Sequence, residues 1–340
     1  LHPDMAELVG QDLVRGLSFP HTGARGMSGD QVLRVFLLKQ MNGFSYREME
    51  FHLADSVTYR TFCRFGALEP TPTRTTLAEN LKKVGAETLE AIGAVVIRYA
   101  AKTGVERGRK VRIDSTVVET NIHAPTDSSL LWDGVRVLTR LLKAAHGRVG
   151  YGLYTDHTKR AKRRMLAIQH TGSKAKRTEA YRDLLKVARK TMGYVLRGVE
   201  SLEGKAGAGK LAGELAHYSG LLERVVDQTR RRVLNGEKVP TSEKLVSLFE
   251  PHTDIIVKDR RDTLYGHKIF LTGGASGLIL DCKVEAGNPT DSSMALPMLE
   301  RQKILYGRPP RQAALDGGFA SKDNLKGGKA LGTSDVCFQK

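Results

Sequence analysis

Aromatic residues are scarce in this 340-residue chain, 6% in all with a single Trp. A surface that stacks rings on splayed single-stranded bases is therefore not its main device. Cysteine is scarcer. Cys63, Cys282 and Cys337 are widely separated, with neither the paired spacing of a zinc site nor a disulfide framework, and they read as reduced, intracellular thiols. Long apolar runs are missing too. The longest helical apolar stretch, Ala91 to Ala101, is interrupted by Arg98 and falls short of the roughly 20 residues a bilayer span requires. No signal peptide opens the chain. Acid is the remaining shortage: 37 Asp and Glu face 54 Lys and Arg, a formal net charge of +17. Such an excess points to a polyanionic partner, and nucleic acid leads because neutralised phosphates release condensed counterions.

What is present is enough apolar residue, 40%, for a sizeable core in two or three units. From Ser28 to Gly104 the pattern is helical. Ser28 or Asp30 can cap a helix carrying Val32, Val35, Phe36 and Leu38 and ending near Asn42-Gly43. Ser45 and Glu48 have capping-box spacing and open a second short helix through Leu53. A helix-turn-helix fits this spacing, and so does an ordinary small bundle. Thr71-Pro72-Thr73 then precedes two longer helices, about Thr75 to Val84 and Glu87 to Thr103.

At Lys110 the period changes to that of a strand, with Asp114, Thr116 and Val118 on one face and Glu119 pointing away. After Pro125 helical periodicity returns for more than a hundred residues: Leu131, Val135, Leu138, Leu142 and Ala145 form an apolar stripe. A basic tract follows, with Lys159, Arg160, Lys162, Arg163, Arg164, Lys174, Lys176 and Arg177, then Lys186, Arg189 and Lys190, and later Arg230, Arg231 and Arg232. One such run is usually a solvated face; their accumulation favours a phosphate-tracking surface. From Asp254 strands return. Tyr265 to Leu271 and Leu278 to Val284 flank a glycine-rich hairpin connection, followed by a helix from Ser292 to Leu305, a strand ending at Asp316, a short helix from Ser321 and a last strand at Val336 to Phe338. The expected class is α/β, with a mixed sheet and a long helical insertion.

Two aspartates stand out. Asp114 closes Val111-Arg112-Ile113-Asp114, and Asp316 closes Ala313-Ala314-Leu315-Asp316. A carboxylate at a strand end is held rigidly beside a loop that admits substrate. Two of them on neighbouring strands suit hard cations, Mg²⁺ or Mn²⁺, and phosphoryl transfer. Aspartates also cap strands and turns, so spacing alone leaves both readings open. His123, His252 and His267 lack metal-ligand spacing and read as surface or hydrogen-bonded histidines. Gly204 to Leu211 falls one residue short of a phosphate-binding loop and reads as an interhelical turn. Ser115 has no clear base partner for nucleophilic chemistry.

Several blocks in order carry a resemblance. Val111-Arg112-Ile113-Asp114-Ser115-Thr116-Val117-Val118-Glu119-Thr120-Asn121-Ile122-His123, Tyr265-Gly266-His267-Lys268, Ala286-Gly287-Asn288-Pro289-Thr290-Asp291-Ser292 and Ala314-Leu315-Asp316-Gly317-Gly318-Phe319 resemble blocks of bacterial insertion-sequence transposases of the IS5-like and ISNCY group. Met27 to Ala91, with the Gly43-Phe44-Ser45-Tyr46-Arg47 turn, resembles their helical N-terminal domain. The resemblance implies a ribonuclease-H-like sheet bearing a DDE triad. Asp114 and Asp316 would be its first two acids, holding Mg²⁺ or Mn²⁺. The third, a Glu within a Tyr-Arg-Glu-Lys signature, has no counterpart here.

The implied organisation is an all-helical N-terminal domain over residues 1–105, a catalytic core in residues 106–124 and 250–340, and a basic helical insertion over residues 125–249. The implied partners are double-stranded DNA, as element ends and as target, and a second copy of the chain in a paired-end complex. The implied location is cytoplasmic, on the nucleoid. The chain starts at Leu1 and stops at Lys340, straight after a strand, and so reads as a fragment whose activity is expected to be lost or impaired. Two alternatives stay open: a metal-dependent nuclease of the same fold, and a non-catalytic DNA-binding remnant.

Overall fold

Local signals account for the helices that precede the first strand. The computed structural model describes residues 2–19, 26–150, 154–258 and 262–339. Six helices come first: α1 (Pro3–Val14), α2 (Gly29–Asn42), α3 (Tyr46–Asp55), α4 (Val57–Phe62), α5 (Arg74–Leu81) and α6 (Ala86–Lys102). Ser28 with Gln31, and Ser45 with Glu48, form reciprocal capping boxes at the starts of α2 and α3. Gly43 takes the left-handed conformation that ends α2, with φ 68°. Helix α1 lies ahead of Ser28, where the residue pattern first reads as helical, and inside the all-helical domain that the resemblance implies. It starts at Pro3 and buries Met5, Val9 and Leu13 at steps of four, joining a core with Val32, Val35, Met49, Leu53 and Leu77.

Strand β1 (Lys110–Glu119) is followed by four helices: α7 (Asp127–Val149), α8 (Thr158–His170), α9 (Lys174–Leu202) and α10 (Gly209–Thr229). The predicted stripe forms the heart of their core, for Leu131, Val135, Leu138, Leu142 and Ala145 are all fully buried. Leu184, Val187, Ala188, Leu222 and Val225 from α9 and α10 meet them. Each such Leu or Val side chain stabilises by roughly 1.5–3 kcal/mol when taken from water. Gly134 lets α7 and α10 approach: a Cβ there would lie 2.5 Å from Leu222 Cδ1. Gly204 to Ala208 belong to the turn between α9 and α10, as expected, with positive φ at Gly204 and Gly207, and Gly209 to Leu211 open α10.

The remaining elements are β2 (Asp254–Lys258), β3 (Asp262–Gly274), β4 (Ile279–Glu285), α11 (Asp291–Tyr306), β5 (Gln312–Leu315), α12 (Lys322–Ala330) and β6 (Asp335–Phe338). The strands form a mixed six-stranded sheet in the order β2-β3-β1-β5-β6, with β4 also on β3. β1 with β5 and β5 with β6 run parallel, while β2 and β3 are antiparallel. The architecture is α/β. The chain divides into two compact units, Leu1–Ile113 with Leu271–Asp281 and Ala295–Lys340, and Asp114–Phe270 with Cys282–Met294.

In the first unit Glu106 ties the hairpin to the turn before β1. Its carboxylate, 4% exposed, accepts from Arg107 N and Gly108 N at 2.8 Å, Ser276 N at 2.9 Å and Ser276 Oγ at 2.6 Å. Burial pushes this acid up, yet the donors from Ser276, Gly108 and Arg107 outweigh it and hold it below the usual range. Nearby, Tyr306 lies against Gly108, where a Cβ would come within 2.5 Å of the ring.

Candidate functional site

The parallel pairing of β1 and β5 sets Val111 opposite Ala313, Arg112 opposite Ala314 and Ile113 opposite Leu315. Asp114 comes next in β1, and Asp316 directly follows β5. Asp114, expected at a strand end, lies instead in mid-strand, because the β-branched run Thr116, Val117 and Val118 carries β1 on to Glu119. Each carboxylate accepts from the following backbone amide, Asp114 Oδ1 from Ser115 N at 2.8 Å and Asp316 Oδ1 from Gly317 N at 2.5 Å. Asp316 also caps a short 3₁₀ turn, Gly317–Phe319. That turn is anchored by fully buried Phe319 and by Asn324 Nδ2, which donates to Phe319 O at 2.8 Å. Gly317 is required there, because a Cβ would lie 2.9 Å from Gln339 O.

In the second unit a polar chain runs through two histidines that no spacing rule singles out. Glu250 Oε2 lies 2.9 Å from His252 Nε2, His252 Nδ1 lies 2.8 Å from His267 Nε2, and His267 Nδ1 lies 3.4 Å from Asp254 Oδ2. Asp254 Oδ2 also accepts from Gly287 N at 2.8 Å. A zinc ion bridging the inner nitrogens would need about 2.0–2.1 Å to each, farther apart than 2.8 Å permits in tetrahedral geometry, so the contact is a hydrogen bond. The adjacent Lys268 donates to Pro289 O at 2.8 Å and pairs with Asp291 at 2.9 Å. The blocks around His267 and Asp291 are thus stitched together through side chains. Among the described residues no three His, Cys, Asp or Glu gather as a metal site.

The predicted basic residues divide by engagement. Lys159, Arg160, Lys162, Arg163 and Arg164 lie on α8 and Lys174, Lys176 and Arg177 on the first turn of α9, all exposed. Arg160 and Arg164 both grip Asp183 of α9, at 2.5 and 2.6 Å. The hydrogen bond from Arg160, set against burial, holds Asp183 below the usual carboxylate range. Arg177 donates to Thr171 O at 2.7 Å, and Lys162 lies 6.0 Å from the Trp132 ring centre. Arg163, Lys174 and Lys176 enter no ion pair among the described residues. Arg230, Arg231 and Arg232 are not a continuation of the open basic face. They pair with Asp227, with Glu237 and Glu243, and with Asp127, at 2.6–2.9 Å, because the turn after α10 brings them against carboxylates of α10, of the following segment and of the start of α7.

Residues 4–83 match the family model of a transposase domain (DUF772). The match supports a transposase family for the chain. No curated protein and no solved structure matches it.

Within the transposase-domain segment, Arg60 is the central polar residue. Its guanidinium donates to Leu53 O at 3.3 Å, Thr71 Oγ1 at 2.8 Å, Gly66 O at 2.5 Å and Glu69 O at 2.6 Å, closing the turn after α4. The Gly43-Phe44-Ser45 turn is packed by Phe44, which stacks on His52 at 4.3 Å and meets Tyr59 edge-on at 6.2 Å. Cys63 is buried here, and burial pushes its thiol up to about 12; Cys282 and Cys337 are exposed, and none of the three forms a disulfide. Among the described residues no helix is long and apolar enough to cross a membrane.

Proposed function

We propose that this chain is a DNA transposase of the DDE type, built on a ribonuclease-H-like sheet, with Asp114 and Asp316 as two of its catalytic acids. The observation that carries the proposal is the parallel register of β1 and β5, whose last pair, Ile113 and Leu315, directly precedes the two aspartates. The transposase-domain match at residues 4–83 supports the same reading.

Two aspartates offer hard oxygen donors, the set that Mg²⁺ or Mn²⁺ takes together with water and substrate phosphate oxygens. The donor chemistry fits such an ion, which Asp114 and Asp316 would hold. When bound, the ion supplies Lewis acidity toward the phosphodiester. The chain's own groups do the positioning. Ser115 N and Gly317 N each fix one carboxylate oxygen and so set the orientation of its acid, and the buried Phe319 holds the Asp316 turn in place. The reaction is hydrolysis of a phosphodiester at the element end, in which water adds to phosphorus and a 3′-hydroxyl leaves. That hydroxyl then attacks a phosphodiester of the target, displacing its 3′ oxygen. The exposed basic residues Lys159, Arg163, Lys174 and Lys176 neutralise duplex phosphates, and two copies of the chain hold the paired ends.

Manganese electron paramagnetic resonance with duplex DNA present tests the site without requiring turnover. Asp114→Asn and Asp316→Asn should each release the bound Mn²⁺ that the unaltered chain retains. Retention of Mn²⁺ by either variant at the original affinity would contradict the assignment. An assay of strand joining beside cleavage separates a transposase from a nuclease of the same fold.

A further inference from the structure

Between Lys159 and Arg197 the chain carries thirteen Lys and Arg against two carboxylates, Glu179 and Asp183. Most of the net charge of +17 therefore sits in this stretch. Asp183 is spent on Arg160 and Arg164, which makes those two arginines a brace between α8 and α9. The charge left over lies farther along α9. Arg182, Lys186, Arg189, Lys190 and Arg197 are all exposed, and none enters an ion pair among the described residues. At 3.6 residues per turn they fall within an arc of about 100° and extend about 22 Å along the helix. That length is the axial rise of roughly six base pairs. Glu179 and Glu200 bracket the row, and Asp183 at its edge is already engaged by α8.

Two further observations point outward from this face. Gly193 lies in the middle of the arc, and a Cβ built there would meet nothing within 4 Å. Packing gives no reason for a residue that destabilises a helix interior relative to Ala. A glycine at that point lets a partner's backbone approach the helix closely. The local potential is also positive enough to act on a neighbour. His157 is held below its usual value, first by burial and then by the charges of Lys190 and Arg160. Arg197 is steadied by the Tyr194 ring, 5.3 Å away, and so presents its guanidinium at low entropic cost.

We propose that this face of α9, Arg182, Lys186, Arg189, Lys190 and Arg197 around Gly193, is the surface that lies along the duplex DNA backbone. The proposal deepens the transposase reading and rests on it for the identity of the polyanion. The contacts are to phosphate, so they add affinity without base preference. Arg160 and Arg164 hold the helix pair together and contribute little to the DNA contact.

The test measures binding of a random-sequence duplex by fluorescence anisotropy across a salt series. The combined variant Arg182→Gln, Lys186→Gln, Arg189→Gln, Arg197→Gln should bind at least about tenfold more weakly at 0.1 M salt, with a slope of log affinity against log salt shallower by about 3.6. Gly193→Leu should weaken binding while its unfolding midpoint stays at or above that of the parent, since a glycine leaves the helix interior. Arg160→Gln should lower the unfolding midpoint and leave the slope nearly unchanged. Unaltered affinity and slope in the fourfold variant, with the parent still binding, would overturn the assignment of α9 alone. Failure of the parent to bind duplex DNA at all would overturn the transposase reading together with it.

Discussion

Two regions of this protein use cations in opposite ways. In the transposase-domain segment the two half-buried arginines are fully engaged. Arg60 donates to four oxygens, and Arg34 grips Asp30 through both its carboxylate oxygens. In α8 and α9 most cations face water and enter no ion pair among the described residues, while Arg160 and Arg164 serve as a brace. The lesson is that a count of Lys and Arg does not locate a polyanion site. A guanidinium whose donors are already taken is part of the scaffold, and one whose donors are open is available to phosphate.

The comparison can be broken at several points. The largest effect is expected from the shared scaffold beneath the basic face: Leu138→Ala empties a fully buried position in α7 and should cost about 2–5 kcal/mol in urea unfolding. Next, Arg60→Lys keeps the charge but loses the planar fork, and should cost about 1–3 kcal/mol by the same measurement. Little change there would mean that the half-buried arginines act only as charges.

A smaller effect concerns acid. Glu106 lies below its usual value of 4.5 in the folded protein, so its stabilisation is fully present above that value and is lost as pH falls through the depressed one. Glu106→Gln should therefore cost about 1 kcal/mol at neutral pH and flatten the acid limb of stability below about pH 4.5, read from unfolding at a series of pH values. The smallest effect is Arg189→Lys on the open face. It retains a phosphate-binding charge and should leave stability within about 0.5 kcal/mol and DNA affinity within about twofold.

What can be read in the sequence is governed by separation along the chain. The capping boxes Ser28–Gln31 and Ser45–Glu48 and the α7 stripe from Leu131 to Ala145 depend on residues three or four apart, so local rules find them. The apolar runs before Asp114 and Asp316 make both strands legible, although β1 continues past Asp114 to Glu119. Their adjacency is not, because parallel pairing joins segments some two hundred residues apart without a local signature. The Glu106 clamp reaches 170 residues to Ser276, and nothing in either neighbourhood announces the other. Helix α4 escapes for a different reason: six residues with none buried leave no periodic face to detect. For α1 the signal exists, Pro3 followed by Met5, Val9 and Leu13, in a segment ahead of the first obvious cap. The division of the basic tract into brace and open face depends on where Asp183 falls across the helix pair, which composition cannot convey.

The two histidines of the second unit have a consequence for how its pieces come apart. His252 precedes β2 and His267 lies on β3, and their rings meet directly. Asp254, the first residue of β2, approaches His267 and also accepts from Gly287 N. One small cluster therefore fastens the β2–β3 pair to the segment that leads into α11, so that loosening any one of the three loosens the other two.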